Sequence, residues 1–309
     1  MVKVAQMYYI NGMKQEEIAR EMQISRSLIS MILTEAKEVG IVDINIRNPL
    51  LNNDELSSQY EKAFGLRKCV IVPTAVQDSN KLRKLIAQRA VDVFNEEIKS
   101  QYNVGIAWGR TCYEFINLYK PGEVYRDVGI IPLIGGSSQN ASYFQLNEMV
   151  RIFAENLGGA ANFIYAPAIN PSVEEKQLFM NTASMQTIRD KWSNIDIVVS
   201  GIGTLPDMNI DRETYMGEVE IYKQLEESEA VGDICARYFN IKGEFLNGGS
   251  NDRIIAIPVE DMNKAKTVIG IAAGIEKTYS ILGALRTKTI DIFITDEQTA
   301  KAVIKANNQ

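Results

Sequence analysis

The sequence predicts an α/β protein built in two parts. A small, winged-helix-like helix-turn-helix module with its linker takes residues 1–52, and a doubly wound domain with a mostly parallel sheet takes residues 53–309. Three observations predict this fold. Apolar residues recur at helical spacing on both sides of a short break near residue 24. Beyond Pro49, strand-like apolar runs alternate with helical segments. The chain has 309 residues, of which 46% are apolar, and this is enough for one small and one large core.

The first module begins with an amphipathic helix over residues 14–22, where Ile18, Ala19 and Met22 share one face. Ser25 follows the break and can cap a second helix. After Gly40, apolar and polar residues alternate over residues 41–47, which predicts a strand that braces the helices like a wing. The expected inward side chains of the second helix are Leu28, Ile29, Ile32 and Leu33, and Val4, Met7, Tyr8 and Ile10 are expected to cover the far side.

The outward face of the second helix predicts contact with DNA. Arginine can donate to guanine O6 and N7, and short hydroxyl side chains leave room to enter the major groove. Alternatives are an ordinary helical bundle with a charged face and a module that docks onto another protein. The candidate DNA-contacting residues are Gln15, Ser25, Arg26, Ser27 and Ser30.

The charge of the first module predicts an oligomer. Residues 1–47 carry six Lys or Arg and six Asp or Glu, so one copy attracts phosphates weakly. Several copies on repeated half-sites would supply the missing affinity, which favours a homo-oligomer such as a dimer of dimers. The expected partner is operator DNA.

The remaining composition excludes several classes of function. The formal charge of −6 lies wholly beyond residue 47, so the larger domain is not a nucleic-acid surface. The three cysteines, Cys69, Cys112 and Cys235, have no zinc-ligand spacing and no disulfide pattern, which fits the cytoplasm. We expect no leader and no membrane span, because the first residues are not a basic and then apolar run and no stretch is apolar for long enough.

The chain contains no histidine. This removes the usual general base, the partner residue of a catalytic triad and the commonest metal ligand. We therefore expect no metal, no cofactor and no enzymatic activity, although carboxylates and lysines could still carry out proton transfer.

The larger domain alternates strands and helices in a regular order. Its strands are predicted at 69–72, 103–107, 128–134, 195–200, 267–272 and 290–294, and its helices at 82–98, 111–118, 146–157, 278–285 and 297–306. In such parallel sheets, ligands bind beyond the carboxyl ends of the strands.

Four of these strand ends pair glycine with a hydroxyl or a charged side chain. Glycine lets the backbone approach a ligand, amides at a helix start favour an anion, and Lys277 adds a point charge. Together they predict a site for phosphate and hydroxyl groups, although tight turns after strands need glycine as well. The candidate residues are Gly109, Thr111, Gly135, Gly136, Ser137, Ser138, Gly201, Gly203, Thr204, Gly274, Glu276 and Lys277.

Two further polar residues are candidates for the same site. Asp233 follows a glycine, and its carboxylate can accept two hydrogen bonds from a diol. Arg253 can reach a second anion. The structural alternatives are a cap on a helix that starts at Ile234 and a surface ion pair of Arg253 with Asp252.

An ordered set of motifs runs from the first helix to the last. The motifs are Tyr8-Tyr9, Gln15 to Ala19, Ile24-Ser25-Arg26, Trp108-Gly109-Arg110, Gly135-Gly136, Gly201-Ile202-Gly203, Val231 to Cys235 and Gly283-Ala284-Leu285. As a set they resemble the SorC/DeoR family of sugar-responsive bacterial transcription regulators. Residues 132–136 and 191–196 are most similar to the sorbitol and sorbose operon regulators within it.

The resemblance implies an effector domain related to glucosamine-6-phosphate deaminase and ribose-5-phosphate isomerase. It also implies a tetramer on operator DNA. Binding of a phosphorylated sugar or polyol would release this tetramer from the DNA or rearrange it there. The resemblance further implies that Gly274 to Lys277 hold the phosphate and that Asp233 binds a sugar hydroxyl. The chain departs from the family pattern at Ile134, where some relatives have an imine-forming lysine, and at Met31, where relatives often have arginine.

An enzyme is the competing interpretation of the larger domain. Asp233, Glu276 and Lys277 could transfer protons on a sugar phosphate, as in the related isomerases. Kinship of fold does not carry function, and an isomerase has little use for a helix-turn-helix. The sequence therefore favours a regulator of a sugar or polyol catabolic operon.

Overall fold

The chain folds into two compact units, residues 1–50 and residues 51–309. The structure is a computed structural model, and it describes residues 1–39, 41–42, 54–76, 78–120, 125–137, 141–205, 224–225 and 227–309. Most of the predicted wing strand and of the linker lies outside the described residues. The helix-turn-helix assignment and the boundary after residue 52 therefore stay predictions.

In its described residues, the first unit has three helical segments. Helix α1, Val2–Ala5, continues as a π-helical turn over Gln6–Ile10, and it is followed by α2, Gln15–Met22, and α3, Arg26–Glu38. Gln23 ends α2 in the left-handed conformation, with φ of 56°. The Ser25 hydroxyl caps α3 by accepting a hydrogen bond from Leu28 N at 3.2 Å. The break that the sequence predicts is therefore a short turn between two capped helices.

A small apolar core joins the three segments. It contains Val4, Met7, Ile18, Ile29 and Leu33, all buried. Two expected core positions are wrong, because Leu28 is 36% exposed and Ile10 is 76% exposed. Leu28 lies about 100° around the helix from Ile29, so both cannot point into the same narrow core.

The larger unit is built on a seven-stranded sheet in which all the paired strands are parallel. Its strands are β1 (Lys68–Val72), β2 (Asn103–Ile106), β3 (Gly129–Pro132), β4 (Ala160–Ala161), β5 (Ile197–Gly201), β8 (Thr267–Ile271) and β9 (Ile292–Asp296). They lie in the order β1-β9-β8-β5-β2-β3-β4. A separate antiparallel pair is formed by β6 (Ala230–Ile234) and β7 (Arg237–Asn240).

Helices connect and cover these strands. They are α4 (Asp54–Phe64), α5 (Ser79–Glu97), α6 (Arg110–Leu118), α7 (Leu146–Leu157), α8 (Val173–Met180), α9 (Ala183–Trp192), α10 (Val259–Met262), α11 (Thr278–Arg286) and α12 (Glu297–Asn307). Short 3₁₀ turns occur at Ser142–Phe144, Gly249–Arg253 and Ile275–Lys277. In the part of the chain that the structure describes, no helix is both long and apolar enough to cross a membrane.

The order of the strands creates a crevice between β2 and β5. The chain runs outward from β2 through β3 to β4, and then returns to β5 and runs the other way through β8 and β9 towards β1. Connections therefore leave the sheet in opposite directions at this point, which is where ligands bind in open parallel sheets. The predicted mostly parallel α/β fold is confirmed.

Aromatic side chains fix the helices around this crevice. Phe94 of α5, Phe115 of α6 and Phe153 of α7 are fully buried against one another, with ring centres 5.5–5.6 Å apart. The buried Trp192 donates its indole N–H to the carbonyl of Pro132 at 2.9 Å, which ties α9 to β3. The aromatic contacts therefore fix α5, α6 and α7 against one another.

Candidate ligand-binding site

A cavity of about 640 Å³ lies at the carboxyl ends of β2, β5, β8 and β9. This volume is in the range of sites for small molecules. Most of the candidate effector residues line it, although they come from three separate strand ends and from β6. Those that do are Gly109, Thr111, Gly201, Gly203, Thr204, Asp233, Gly274, Glu276 and Lys277.

The remaining candidates are placed differently. Gly135, Gly136, Ser137 and Arg253 are not among the described residues that line the cavity, and Ser138 lies outside the described residues. Gly136 exchanges backbone hydrogen bonds with Ala166 and Ala168, at 2.8 and 2.7 Å.

A Cβ on Gly135 would lie 2.7 Å from the backbone of Ala168. Glycine is therefore needed there for close backbone packing, whatever its role towards a ligand. Arg253 donates to the carbonyl of Pro171 and to the side chain of Gln224. The ligand roles of these candidates stay predictions.

The loop after β8 is held by the start of α12. Gly274, at φ of 112°, donates its N–H to Thr299 Oγ1 at 2.8 Å and to Asp296 Oδ2 at 3.3 Å. A side chain at this φ would be strained, so the turn requires glycine. The following 3₁₀ turn is closed by a bond from Lys277 N to the carbonyl of Gly274, which sets Glu276 and Lys277 at the cavity wall.

Lys277 joins two of the cavity loops. Its Nζ donates at 2.7 Å to the carbonyl of Ile202, which lies in the loop after β5. Burial lowers the pKa of this ammonium group, and the negative charges of Asp233 and Glu276 act in the opposite direction. The site therefore contains a buried amino group whose charged form is favoured by two carboxyl groups and opposed by burial.

Asp233 enters the cavity from the β6–β7 hairpin. Its backbone exchanges two hydrogen bonds with Gly203, of 3.0 and 3.3 Å, and its Oδ2 accepts one from Ala236 N at 2.9 Å. Burial raises the pKa of Asp233 to about 6, against the lowering effects of the Ala236 amide and of Lys277. A carboxyl group that titrates near neutral pH in a cavity is typical of a functional site.

The sequence alternative for Asp233, a cap on a helix from Ile234, is wrong. Ile234 pairs with Arg237 across a two-residue turn, and both turn residues, Cys235 and Ala236, have positive φ, of 52° and 56°. Such a turn matches the twist of a hairpin and is usually built from glycine or asparagine. The hydrogen bond from Ala236 N to Asp233 supports the turn and at the same time orients the carboxylate.

Two arginines complete the site, and sequence reasoning missed both. Arg83, on α5, donates to Asn80 Oδ1 at 2.9 Å, and Arg110, the first residue of α6, lies with its guanidinium carbon 5.6 Å from the ring centre of Tyr143. Both line the cavity. Arg110 stands between Gly109 and Thr111, so the same strand-end reasoning would have found it. Arg83 has no such signal, because it lies on a helix after a loop without glycine.

Aromatic rings form an apolar part of the wall. Trp108 and Phe144 meet edge to face with their ring centres 5.7 Å apart, and Gly109 N donates to the carbonyl of Tyr143 at 2.7 Å. The cavity is thus lined by three basic side chains, three carboxyl side chains, hydroxyls and a ring surface. This combination suits a small polyhydroxylated anion. Among the described residues no group of three or more acidic, cysteine or histidine residues is placed to hold a metal ion.

The polar face of α3 is exposed in the first unit. Ser25, Arg26, Ser27 and Ser30 are exposed, and Gln15 is half-buried. Arg26 lies 3.5 Å from Glu16, and both side chains are more than 60% exposed, so this ion pair is weak and easily exchanged. Arg26 is therefore accessible to a partner.

Residues 48–305, which include the whole cavity, match Sugar-bind, the sugar-binding domain family. The chain belongs to this family. It is 29% identical to the deoxyribonucleoside regulator of Bacillus subtilis, over 98% of this chain and 96% of that protein. It is 28% identical to the sorbitol operon regulator of Klebsiella pneumoniae, over 99% of this chain and 97% of that protein.

The solved structures agree with the family. The full-length sorbitol operon regulator SorC from Klebsiella pneumoniae has a TM-score of 0.79 with 27% identity, and the match covers 98% of this chain and 97% of that one. The resemblance to SorC and DeoR regulators is thus confirmed. These relatives are transcription regulators and not enzymes, which confirms that the chain is not an enzyme.

Proposed function

We propose that the protein binds operator DNA of a sugar or polyol catabolic operon and that a phosphorylated sugar or polyol in the cavity controls this binding. The observation that carries the proposal is the convergence of Arg83, Arg110 and Lys277 with Asp233 in one cavity at the switch point of the sheet. Three cations suit a phosphate, and the carboxylate suits hydroxyl groups. The names of the relatives, which include regulators of sorbitol and erythritol genes, support the same class of ligand.

The first unit would provide the contact with DNA. In this proposal α2 and α3 form a helix-turn-helix, and Ser25, Arg26, Ser27 and Ser30 of the second helix enter the major groove, with Gln15 at its edge. The balanced charge of residues 1–47 favours a homo-oligomer, a dimer of dimers, that places several copies on repeated half-sites.

The effector would bind with its phosphate towards the cationic end of the cavity. Gly274, Glu276 and Lys277 lie at this end, and Asp233 would accept hydrogen bonds from two hydroxyls of the ligand. The other proposed contacts that line the cavity are Gly109, Thr111, Gly201, Gly203 and Thr204.

Control of DNA binding requires that the effector binds one arrangement of the oligomer better than another. We propose that the ligand draws the strand-end loops together and changes how effector domains pair, which alters the spacing of the DNA-binding units. A coupling free energy of about 1–3 kcal/mol would be typical.

A thermal-shift panel tests the proposed ligand class. The phosphate esters of sorbitol, erythritol and deoxyribose are compared with their unphosphorylated parents on the purified protein. We expect one ester to raise the Tm in a saturable way, by mass action, and its parent to do so only at much higher concentration. If no ester raises the Tm, the sugar-phosphate proposal is wrong. The stabilising ester is then added to a promoter-binding assay to show that it changes operator binding.

Arg26→Ala tests the DNA contact. If Arg26 donates to a base, the variant should lose about 1–3 kcal/mol of operator binding, measured by fluorescence anisotropy with operator and scrambled duplexes. Lys37→Ala, which removes a positive charge from the last turn of the same helix, is the matched control and should leave the preference for operator unchanged. Equal loss on both duplexes would show a phosphate contact. Absence of salt-dependent DNA binding by the unmutated protein would favour a protein-docking module.

A further inference from the structure

Two arginines from different helices line the same cavity. Arg83 lies in the second turn of α5 and Arg110 begins α6, and these two helices pack directly on one another. After burial, the charge of Arg110 is the strongest influence that lowers the pKa of Arg83. The two cations are therefore close enough to repel each other.

This repulsion has little compensation within the protein. Among the described residues, neither arginine forms an ion pair with a carboxylate. Arg83 donates to the neutral Asn80, and Arg110 lies over the ring of Tyr143. Glu114 and Glu276 favour the charged form of Arg83, but from beyond ion-pair distance.

Lys277 is placed differently from the two arginines. Its ammonium already donates to the carbonyl of Ile202, and the negative charges of Asp233 and Glu276 act on it, so its charge is partly compensated within the protein. A guanidinium group has five N–H donors, and Arg83 uses one of its own on Asn80. The start of α6 adds backbone N–H groups beside Arg110, because its cap residue is Gly109, which has no side chain to satisfy them.

We propose that Arg83 and Arg110 bind the anionic group of the effector as a guanidinium pair and thereby select a phosphate monoester over its unphosphorylated parent. This inference rests on the proposed function and names the residues that set its specificity. Each guanidinium presents a planar fork that can donate two hydrogen bonds to one phosphate. A dianionic monoester has three terminal oxygens, enough for both forks, and its charge removes the repulsion between them.

The experiment compares binding of an ester with binding of its parent. Isothermal titration uses sorbitol 6-phosphate, erythritol 4-phosphate and deoxyribose 5-phosphate, with sorbitol, erythritol and deoxyribose as parents, on the full-length protein. Arg83→Gln and Arg110→Gln should each weaken binding of the ester about ten- to a hundredfold, since each removes a hydrogen bond to a charged group. The parent should bind within twofold of its affinity for the unmutated protein.

Two further variants separate charge, geometry and folding. Arg89→Gln makes the same change on α5 outside the cavity, where Arg89 pairs with Asp92, and should leave the affinity unchanged. Arg83→Lys keeps the charge but not the fork, so its affinity for the ester should fall between those of Arg83→Gln and the unmutated protein.

The outcomes distinguish this inference from the proposed function. If an ester binds the unmutated protein and both glutamine variants equally well, the arginine pair is not the anion site, but the sugar-phosphate proposal stands. If ester and parent lose affinity together, the arginines only maintain the structure of the cavity, and the inference is wrong. If no ester binds the unmutated protein, both the inference and the proposed ligand class are wrong.

Discussion

Replacing Lys277 with methionine should abolish the response of operator binding to the effector. Methionine has a similar length and keeps the apolar stem, but it removes the ammonium group that donates to Ile202 and lies beside Asp233. We expect effector affinity to fall at least about a hundredfold, since a hydrogen bond to a charged group and the attraction of a buried cation are lost together. Titration of the effector into the protein–operator complex measures the response.

Folding and DNA binding of the Lys277→Met variant should survive. The variant removes the nearby positive charge from Asp233, but this buried carboxyl can take up a proton and so avoid remaining as an uncompensated charge, since burial already raises its pKa to about 6. Operator affinity without effector should match that of the unmutated protein. Lys301→Met, at an exposed ion pair with Glu297, is the control for loss of a lysine. A full response by the Lys277→Met variant would show that the response does not need the Lys277 ammonium.

Asp233→Asn should remove a pH dependence of stability between about pH 4 and pH 6. The pKa of Asp233 is raised from 3.8 to about 6 in the folded protein, so the folded state binds a proton that the unfolded state has lost. This contribution to stability is fully present below about pH 4 and is lost as the pH rises through about 6. The free energy involved is at most about 3 kcal/mol.

Chemical denaturation at pH 4, 5, 6 and 7 measures this effect as a difference between the two proteins. Other carboxylates titrate in both, so only the difference in the free energy of unfolding reports on Asp233. Asparagine can still accept the hydrogen bond from Ala236 N, which keeps the hairpin turn supported. A difference that stays constant over this pH range would mean that Asp233 titrates near its ordinary pKa.

The sheet and most of its strand ends could be predicted from the sequence. Strands buried on both faces appear as short apolar runs, and those predicted at 69–72, 103–107 and 267–272 agree with the structure to within a residue or so at each end. The site could be located as well, because parallel strands direct their carboxyl ends to one edge. Glycines at 109, 203 and 274 therefore marked loops that meet in space.

The order of the strands could not be predicted from the sequence, and neither could the residues that this order places at the cavity. The apolar runs do not show that β9 lies between β1 and β8, and this order brings α5, with Arg83, to the cavity. The β6–β7 hairpin escaped prediction because its left-handed turn uses Cys235 and Ala236 in place of glycine. The role of Gly135 and Gly136 could not be decided from the sequence, because glycine permits close backbone packing as well as contact with a ligand.

The loop at Gly274 is hydrogen-bonded to Asp296 and Thr299, so we expect this loop and the first turn of α12 to unfold together. Asp296 caps α12 by accepting a hydrogen bond from Thr299 N at 3.0 Å, and the same two side chains hold the amide of Gly274. Fraying of the first turn of α12 would release this amide and, with it, the turn that carries Lys277. Helix α12 therefore supports the cavity wall, and we expect local unfolding of its first turn to weaken the proposed binding of effector.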